Sequence, residues 1–561
     1  MDYRSYIAER IAIEGISASE IAGMMTVPPD LNMGDYALPC FRFAKALRKS
    51  PQAIAEQLAS QIAADEVIER AEAVSGYLNI TLNRSRMVSA AVREILEKGE
   101  DYGRSNVGEG KTVCIDYSSI NIAKPFHIGH LSTTVIGSSL YKIFNFLGYR
   151  SVGINHLGDY GTQFGKLIVA YKRWGDRETV ERENIREMLR LYVHFHEEAE
   201  KDPALDEEAR HWFKRIEDKD PEALELFEWF KELTLKEVAK VYELLGVTFD
   251  SYAGESFYND KMQPVLDELE SKGLLTVSEG AKVVDLEAYG MPPCLLVKAD
   301  GATLYATRDI AAAFYRKKTY DFDQCLYVVA YQQNLHFKQF FKVIELMGYD
   351  WAKDLKHVAF GMVSMEGGSM STRKGKVIFL EEVLSRCIEK ALAIITEKNP
   401  SLKDKESIAK DVGVGAVIFS TLSANRIKDI TFSYDRVLNF EGETGPYVQY
   451  TYARCNSVMG KADFEPDKAD FSQIAPEENA LVSLLMSFPE VVLDAADKYE
   501  PSFITRLMVD IAQAYNKFYI ECRILGESEG VMNKRLALTR CTMQVLKSGL
   551  GLLGIKTVDR M

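Results

Sequence analysis

Apolar residues recur at three- and four-residue intervals through most of this chain, and the places where that spacing yields to short β-branched runs mark its organisation. RSYIAERIA, SPQAIAEQLA and MVSAAVREILEK carry the helical spacing, the second opening with Ser50 as cap and Pro51 at the first helical position. GYLNITL reads as a strand, and VPPDLNMGDYALP as a turn-rich connection. Residues 1–102 are thus expected to fold as a self-contained α/β domain, closed off by the glycine-bearing linker GRSNVGEG at 103–110.

Beyond the linker the rhythm becomes strand, loop, helix. KTVCIDYS has the composition of a buried strand, Leu131, Val135, Leu140, Ile143, Phe144 and Leu147 follow helical spacing, and SVGINHL opens a second strand. Such a βαβ unit predicts a parallel, doubly wound sheet. Charged helices and a strand-rich piece, AKVVDLEAYGMPPCLLVKADGATLYAT, interrupt it over about 172–300 as an insertion. The sheet is expected to resume with QCLYVVAY (324–331), a helix over 336–347 and the strand HVAFGMVSM, which leads into the loop EGGSMSTRKGK. From about 386 the pattern reads as helical throughout. Val448, Tyr452, Cys455 and Met459 form one apolar stripe and Leu507, Ile511, Ala514 and Phe518 another, with Pro489 and Pro501 expected to separate the segments of a bundle.

Composition narrows the class. A chain of 561 residues exceeds one core, so three or four folding units are expected. No apolar run is expected to reach the length needed to span a bilayer, and MDYRSYIAERIA mixes acids and bases where a secretion signal is greasy, so a cytoplasmic location without membrane attachment is expected. The eight cysteines include no Cys-x-x-Cys pair, which points to core packing and to no zinc site. A net charge of −14 speaks against a surface coated for nucleic acid. A local patch remains open at Arg42, Lys45 and Arg48, which share a face if the segment after Pro39 is helical, although a solvated helix face has the same appearance.

The chemistry concentrates in SSINIAKPFHIGHLSTT, residues 118–134. Histidines three apart can serve as metal ligands, an acid/base pair or a phosphate grip, or can simply pack in a turn. His127 and His130 fall where the first strand hands over to its helix, the ligand crevice of an open parallel sheet. Unpaired N–H groups at a helix start attract phosphate, Gly129 permits close approach, and Lys124 adds a cation. No third ligand stands at an obvious spacing for a metal. The loop MSTRKGK (370–376) places three cations and two hydroxyls between glycines and could fold over a triphosphate or lie solvated.

These blocks carry a family resemblance. PFHIGHL resembles the His-Ile-Gly-His motif of class I aminoacyl-tRNA synthetases, and GSMSTRKG a divergent form of their Lys-Met-Ser-Lys-Ser loop. SSINIAKPFHIGH, NHLGDYGTQFG (155–165), LYATRDIAAA (304–313) and FEGETGPYVQYTYAR (440–454), with the extra domain ahead of them, are similar to blocks of the arginyl-tRNA synthetase family. The resemblance implies an α/β N-terminal tRNA-binding domain at 1–102, a Rossmann-like catalytic domain with an insertion at 108–385, and an all-α stem-contact and anticodon-binding domain at 386–561. It also implies ATP-dependent formation of arginyl-adenylate, with tRNA needed for that step, and transfer to the 2′-hydroxyl of the terminal adenosine of the tRNA. The implied partners are L-arginine, the tRNA for arginine and ATP with its magnesium, acting on a monomer. A catalytically silent tRNA-binding paralogue, or another nucleotidyltransferase with the same histidines, is the alternative.

The resemblance assigns roles residue by residue. Lys124, His127, His130, Arg373 and Lys374 would be catalytic, and His127, Gly129, His130, Met370, Ser371 and Lys374 would hold ATP. Arginine would meet Asp116, Asn121, His156, Tyr305, Asp309 and Gln333, with Gln163 nearby, Asp309 taking the guanidinium and Asn121 the substrate's backbone groups. A guanidinium asks for planar acceptors, which carboxylates supply. Tyr77 and Asn79, in GYLN, would meet the tRNA elbow, and Tyr447, Tyr450, Arg454, Tyr515 and Tyr519 would contact RNA from the helical domain. Two departures stand out. Thr372 occupies the place of the usual second lysine, whose work would fall to Lys124, Arg373 or Lys374, and Ile120 stands where many members carry proline.

Overall fold

The structure is a computed structural model and describes residues 3–28, 33–299, 301–366 and 378–561. It divides into two compact units. One comprises Met1–Gly99, Val458–Met486 and Ala514–Cys541; the other comprises Glu100–Ser457, Ser487–Gln513 and Thr542–Met561.

In the first unit, strands β1 (Tyr36–Pro39), β2 (Ile68–Val74) and β3 (Tyr77–Leu82) form an antiparallel sheet in the order β1-β3-β2. Leu78 to Leu82 of β3 are all buried, the apolar alternation of GYLNITL putting Leu78, Ile80 and Leu82 on one face and Asn79 and Thr81 on the other. Ser75 and Gly76 close the β2–β3 hairpin with φ of 52° and 81°, the positive pair that a tight two-residue turn requires. The helix Pro51–Ala59 starts as expected: the Ser50 side chain accepts from the Ala53 N–H at 3.2 Å and proline occupies the first turn. The helix that would align Arg42, Lys45 and Arg48 is broken. Arg42 lies in a 3-10 turn, Lys45 in the four-residue helix Ala44–Leu47, and Arg48 ends it in the left-handed region at φ 51°.

In the second unit, β4 (Thr112–Asp116) and β5 (Arg150–Ile154) are parallel and joined by the helix Leu131–Phe146, the βαβ unit that the pattern predicts. Every residue of β4 is buried, as a strand covered on both faces must be. The insertion follows as the helices Arg177–Glu183, Ile185–Ala199, Ala204–Glu217, Pro221–Leu245 and Met262–Ser271, then a small antiparallel sheet of β6 (Leu275–Ser278), β7 (Ala281–Val284) and β8 (Cys294–Val297). The chain returns through the helix Tyr305–Tyr320 to β9 (Gln324–Tyr327), on the opposite side of β4 from β5, and β10 (Leu355–His357) completes the order β10-β9-β4-β5. The reversal between β5 and β9 opens a crevice at the C-terminal ends of β4 and β9, where Asp116 pairs with Tyr327.

Several expectations need correction. HVAFGMVSM is not one strand: β10 joins the central sheet, whereas β11 (Val363–Met365) pairs in parallel with β12 (Ile430–Phe432). Gly361 marks the break. Its N–H donates to the Arg426 carbonyl at 2.7 Å, and a Cβ there would stand 2.2 Å from the Lys428 carbonyl oxygen, so segment 426–429 can draw the chain out of the sheet only at a glycine. β12 also interrupts the region expected to be helical throughout. Pro489 lies inside the helix Pro476–Asp497 instead of separating helices, while Pro501 does precede the helix Ser502–Glu521. The Pro476–Asp497 helix is long and apolar enough to cross a membrane by length and composition, contrary to the expectation for the chain, yet Leu481, Val482, Leu485, Phe488 and Val492 are buried within the fold. All eight cysteines are free and buried, the core role expected of them.

Candidate active site

The loop after β4 is held in an unusual backbone path. Ser118, Ser119 and Ala123 have φ of 69°, 45° and 59°, a region that side chains with a Cβ rarely adopt and that needs support from its surroundings. Hydroxyls provide it. Ser118 N–H donates to Thr133 Oγ1 at 3.0 Å, Thr133 Oγ1 donates to the Val328 carbonyl at 2.7 Å, and Ser118 Oγ meets Tyr242 OH at 2.7 Å. Asn155 Nδ2 donates to the same tyrosine at 2.9 Å, and Ala123 N–H donates to Thr234 Oγ1 at 3.1 Å. The hydroxyl run after the histidines therefore braces the loop. Asn121 is set by the HLGDYG block: Gly158 N–H donates to the Ile120 carbonyl at 2.8 Å, and a Cβ on Gly158 would come within 2.5 Å of Asn121 Oδ1.

His127 caps the short turn Ile128–His130. Its Nδ1 accepts from the Gly129 N–H at 3.0 Å, and the Nδ1 of His130 accepts from the His127 N–H at 3.3 Å. The ring centroids lie 4.0 Å apart. Burial, then the Lys124 cation, lowers the His127 pKa to about 4; burial, then His127, lowers that of His130 to about 3. Both imidazoles are neutral near pH 7, and a neutral ring that accepts at Nδ1 carries its proton on Nε2. The motif therefore carries two Nε2–H donors in the turn that leads into the helix Leu131–Phe146.

The basic loop expected to face them, with Met370, Ser371, Thr372, Arg373 and Lys374, lies outside the described residues. The residues that follow it are fastened to the histidine motif. Ile128 N–H donates to the Ile378 carbonyl at 3.3 Å, Leu380 N–H donates to the Phe126 carbonyl at 2.9 Å, and His127 bridges to Phe379.

A cluster of acids lines the other side. Asp309, one turn into the helix Tyr305–Tyr320, meets His336 Nε2 at 2.6 Å, and His156 Nε2 stands 4.0 Å from its other oxygen. Burial acts to raise its pKa, but His336, His156 and Arg316 outweigh it and hold the carboxyl below its ordinary value. Asp116 is 5 % exposed and is engaged by Arg316 Nη2 at 2.7 Å and by Ser119 Oγ at 2.7 Å. His156 feels both acids, and burial lowers its pKa. Tyr305 and Gln333 are exposed at the starts of the helical segments that carry Asp309 and His336, and Gln163 is half-buried beside the Tyr160 carbonyl.

Three participants are given no role by the sequence motifs, although Asp159 lies inside the block NHLGDYGTQFG. His336 is the partner of Asp309. Asp159 is 1 % exposed and takes Lys231 Nζ at 2.9 Å, Ser256 N–H at 2.8 Å and Ser256 Oγ at 2.7 Å. This clamp fixes the adjacent Glu255, whose carboxylate meets Arg308 Nη1 at 3.3 Å. Burial raises the Glu255 pKa to about 7, Arg308 opposes the rise, and Asp309 and Asp159 add to it. Glu255 and Asp309 are acids near enough to act on one another, since Asp309 adds to the rise of Glu255.

The residues expected to meet RNA are placed unevenly. In the first unit Tyr77 is exposed and stands edge-on to the equally exposed Phe41 at 5.2 Å, whereas Asn79 is buried in β3. Tyr519 is exposed, but Tyr515 is core, with its hydroxyl on Thr539 at 3.4 Å, which removes it from the surface set. In the second unit Tyr450 is exposed beneath the Arg454 guanidinium at 4.9 Å, and Tyr447 is half-buried.

Comparisons with known proteins agree along the whole chain. Residues 91–434 match the family described as tRNA synthetases class I (R), catalytic domain; residues 448–561 match the DALR anticodon binding domain, and residues 1–82 the arginyl tRNA synthetase N terminal domain. An arginine–tRNA ligase of Alkaliphilus metalliredigens is 54 % identical over the full length of both chains, and one of Clostridioides difficile is 54 % identical over 98 % of this chain and 97 % of that one. Among solved structures, the arginyl-tRNA synthetase of Thermus thermophilus superimposes with a TM-score of 0.84 at 27 % identity over 100 % of this chain and 99 % of that one. That of Plasmodium falciparum gives 0.79 at 25 % identity over 96 % and 94 %.

Proposed function

The chain belongs to the arginyl-tRNA synthetase family, and from that premise we infer which of its side chains carry the reaction. The protein joins L-arginine to its tRNA at the expense of ATP. The arginine carboxylate attacks the α-phosphorus, expelling pyrophosphate and leaving arginyl-adenylate; a ribose hydroxyl of the terminal adenosine then attacks the carbonyl carbon and expels AMP. No covalent enzyme intermediate is involved, so positioning and charge stabilisation supply the acceleration.

The observation that carries the assignment is the pair of neutral imidazoles whose Nδ1 atoms are occupied by backbone N–H groups. Their Nε2–H donors would hold the phosphate oxygens, Gly129 would lie against the nucleotide, and Lys124 would offset the charge of the triphosphate. Met370, Ser371, Arg373 and Lys374 would complete the pyrophosphate grip. ATP enters as its magnesium complex, so the metal belongs to the substrate. The substrate guanidinium would dock between Asp309 and Glu255, with Asn121 and Asp116 toward its backbone end and His156, Tyr305 and Gln333 shaping the pocket. His336 would orient Asp309. We assign the transfer to the 2′-hydroxyl, a tRNA requirement for activation, a monomeric state and a cytoplasmic location. The three domains follow the bounds 1–102, 108–385 and 386–561, with Tyr77, Tyr447, Tyr450 and Arg454 contacting the tRNA.

Arginine-dependent exchange of pyrophosphate into ATP tests the reading. It should occur with arginine alone among the amino acids and only when tRNA is present; exchange with another amino acid would redirect the pocket assignment. The pH dependence adds a second check. A carboxyl with a pKa of about 7 must ionise before it can pair with a guanidinium, so arginine binding releases a proton below that pH. KM for arginine should therefore fall about tenfold as pH rises from about 6 to 8, while kcat at saturating arginine changes little. A KM that rises with pH over this range contradicts the Glu255 assignment.

A further inference from the structure

Arg308 has no role in the scheme above, yet it is a deeply enclosed cation that pairs with Glu255. Its side chain is 4 % exposed, its guanidinium lies 4.4 Å over the Tyr160 ring, and among the described residues its buried Nε has no hydrogen-bond partner. Tyr160 is in turn fixed by its hydroxyl to Glu217. One contact gives this arrangement a direction: Arg308 Nη1 reaches Glu255 Oε2 at 3.3 Å, while among the described residues Glu255 Oε1 takes no hydrogen bond. A carboxylate can serve a guanidinium on each of its oxygens. A buried arginine left with an unpaired N–H is costly, so the placement calls for a compensating purpose.

We propose that Arg308 is a positioning residue for arginine recognition, a resident guanidinium that favours the charged form of the Glu255 carboxylate and aims it at the place where the substrate's guanidinium docks beside Asp309. This rests on Glu255 contacting the substrate. The groups facing Glu255 are Arg308 and Asp309 from the Tyr305–Tyr320 helix, Asp159 from the segment after β5 with Lys231 paired to it, and Lys124 from the histidine loop. Asp309 and Asp159 favour a proton on Glu255. Of the two cations that oppose them, Arg308 has the larger effect. Stacking on Tyr160 keeps Arg308 on one oxygen and out of the substrate's place.

Arginine and ATP KM values from pyrophosphate exchange with tRNA, measured from pH 6 to 9, test this in Arg308→Gln, Arg308→Lys and Glu255→Gln. Arg308→Gln should raise the arginine KM about tenfold at pH 7 and recover toward the parent value by pH 9, while the ATP KM shifts less than about threefold. Arg308→Lys, which keeps the charge, should follow the parent profile. An arginine KM raised by one factor at every pH, an equal rise for ATP, an unchanged value at pH 7, or a Lys variant that behaves like Gln would overturn the proposal. Glu255→Gln separates the two ideas. A high KM that no longer varies with pH supports the Glu255 contact even if Arg308 fails, whereas a parental KM removes Glu255 and the proposal with it.

Discussion

Replacing Asp309 by alanine should raise the KM for arginine about 10²–10³-fold while the KM for ATP moves less than about threefold. The carboxylate sits against His336 at 2.6 Å and His156 at 4.0 Å. Its pKa lies below the ordinary value despite partial burial, so at neutral pH it is a fixed negative charge in a half-buried place. Removing one member of a buried charge pair costs about 3–5 kcal/mol, most of it because the remaining charge loses its partner, and in the proposed site that remaining charge would be the substrate's guanidinium. Asp309→Asn keeps the shape and an acceptor for His336 but not the charge, so it should show most of the same defect. Equal effects on arginine and ATP would mean that Asp309 supports the whole site and does not recognise the amino acid.

His130→Ala should lower kcat for adenylate formation by about 10²–10³-fold, the range seen when one donor aimed at developing charge is removed. The substitution also takes away the acceptor of the His127 backbone N–H, now 3.3 Å from Nδ1, and leaves the His127 ring held by the Gly129 N–H alone. Because the His130 pKa is lowered to about 3 and that of His127 to about 4, neither ring gains a proton until the pH falls well below 6. kcat should therefore show no histidine limb near pH 6.5, and the Glu255 ionisation should appear in the arginine KM. A kcat profile that drops on an imidazole ionisation between pH 6 and 7 would mean that the rings act as acids or bases instead of neutral donors.

Much of this was written in local sequence. The βαβ unit shows in the apolar run of β4 and the helical spacing from Leu131, because a covered strand and a packed helix each leave a periodic signature. Ser50 and Pro51 mark a helix start through chemistry confined to four residues. What stayed hidden depends on contacts distant in sequence. Glu255 lies in a short 3-10 segment without periodicity, and its significance comes from Arg308, 53 positions away. Arg316 finds Asp116 across 200 positions, and Lys231 finds Asp159 across 72. The split of HVAFGMVSM is set by segment 426–429 pressing on Gly361, which the strand's own β-branched residues do not report. Tyr515 shows the limit from the other side: its type suits stacking on a base, but only the packed structure shows it to be core.

The central claim is that arginine and the ATP phosphates meet at the C-terminal ends of β4 and β9, held by neutral histidines on one side and by paired acids on the other. A crystal structure with a non-hydrolysable arginyl-adenylate analogue tests it most directly. The account predicts the phosphate mimic within hydrogen-bonding distance of His127 and His130 Nε2 and the guanidinium between Glu255 and Asp309. A phosphate mimic bound away from both imidazoles, or a guanidinium directed away from the two carboxylates, would contradict it.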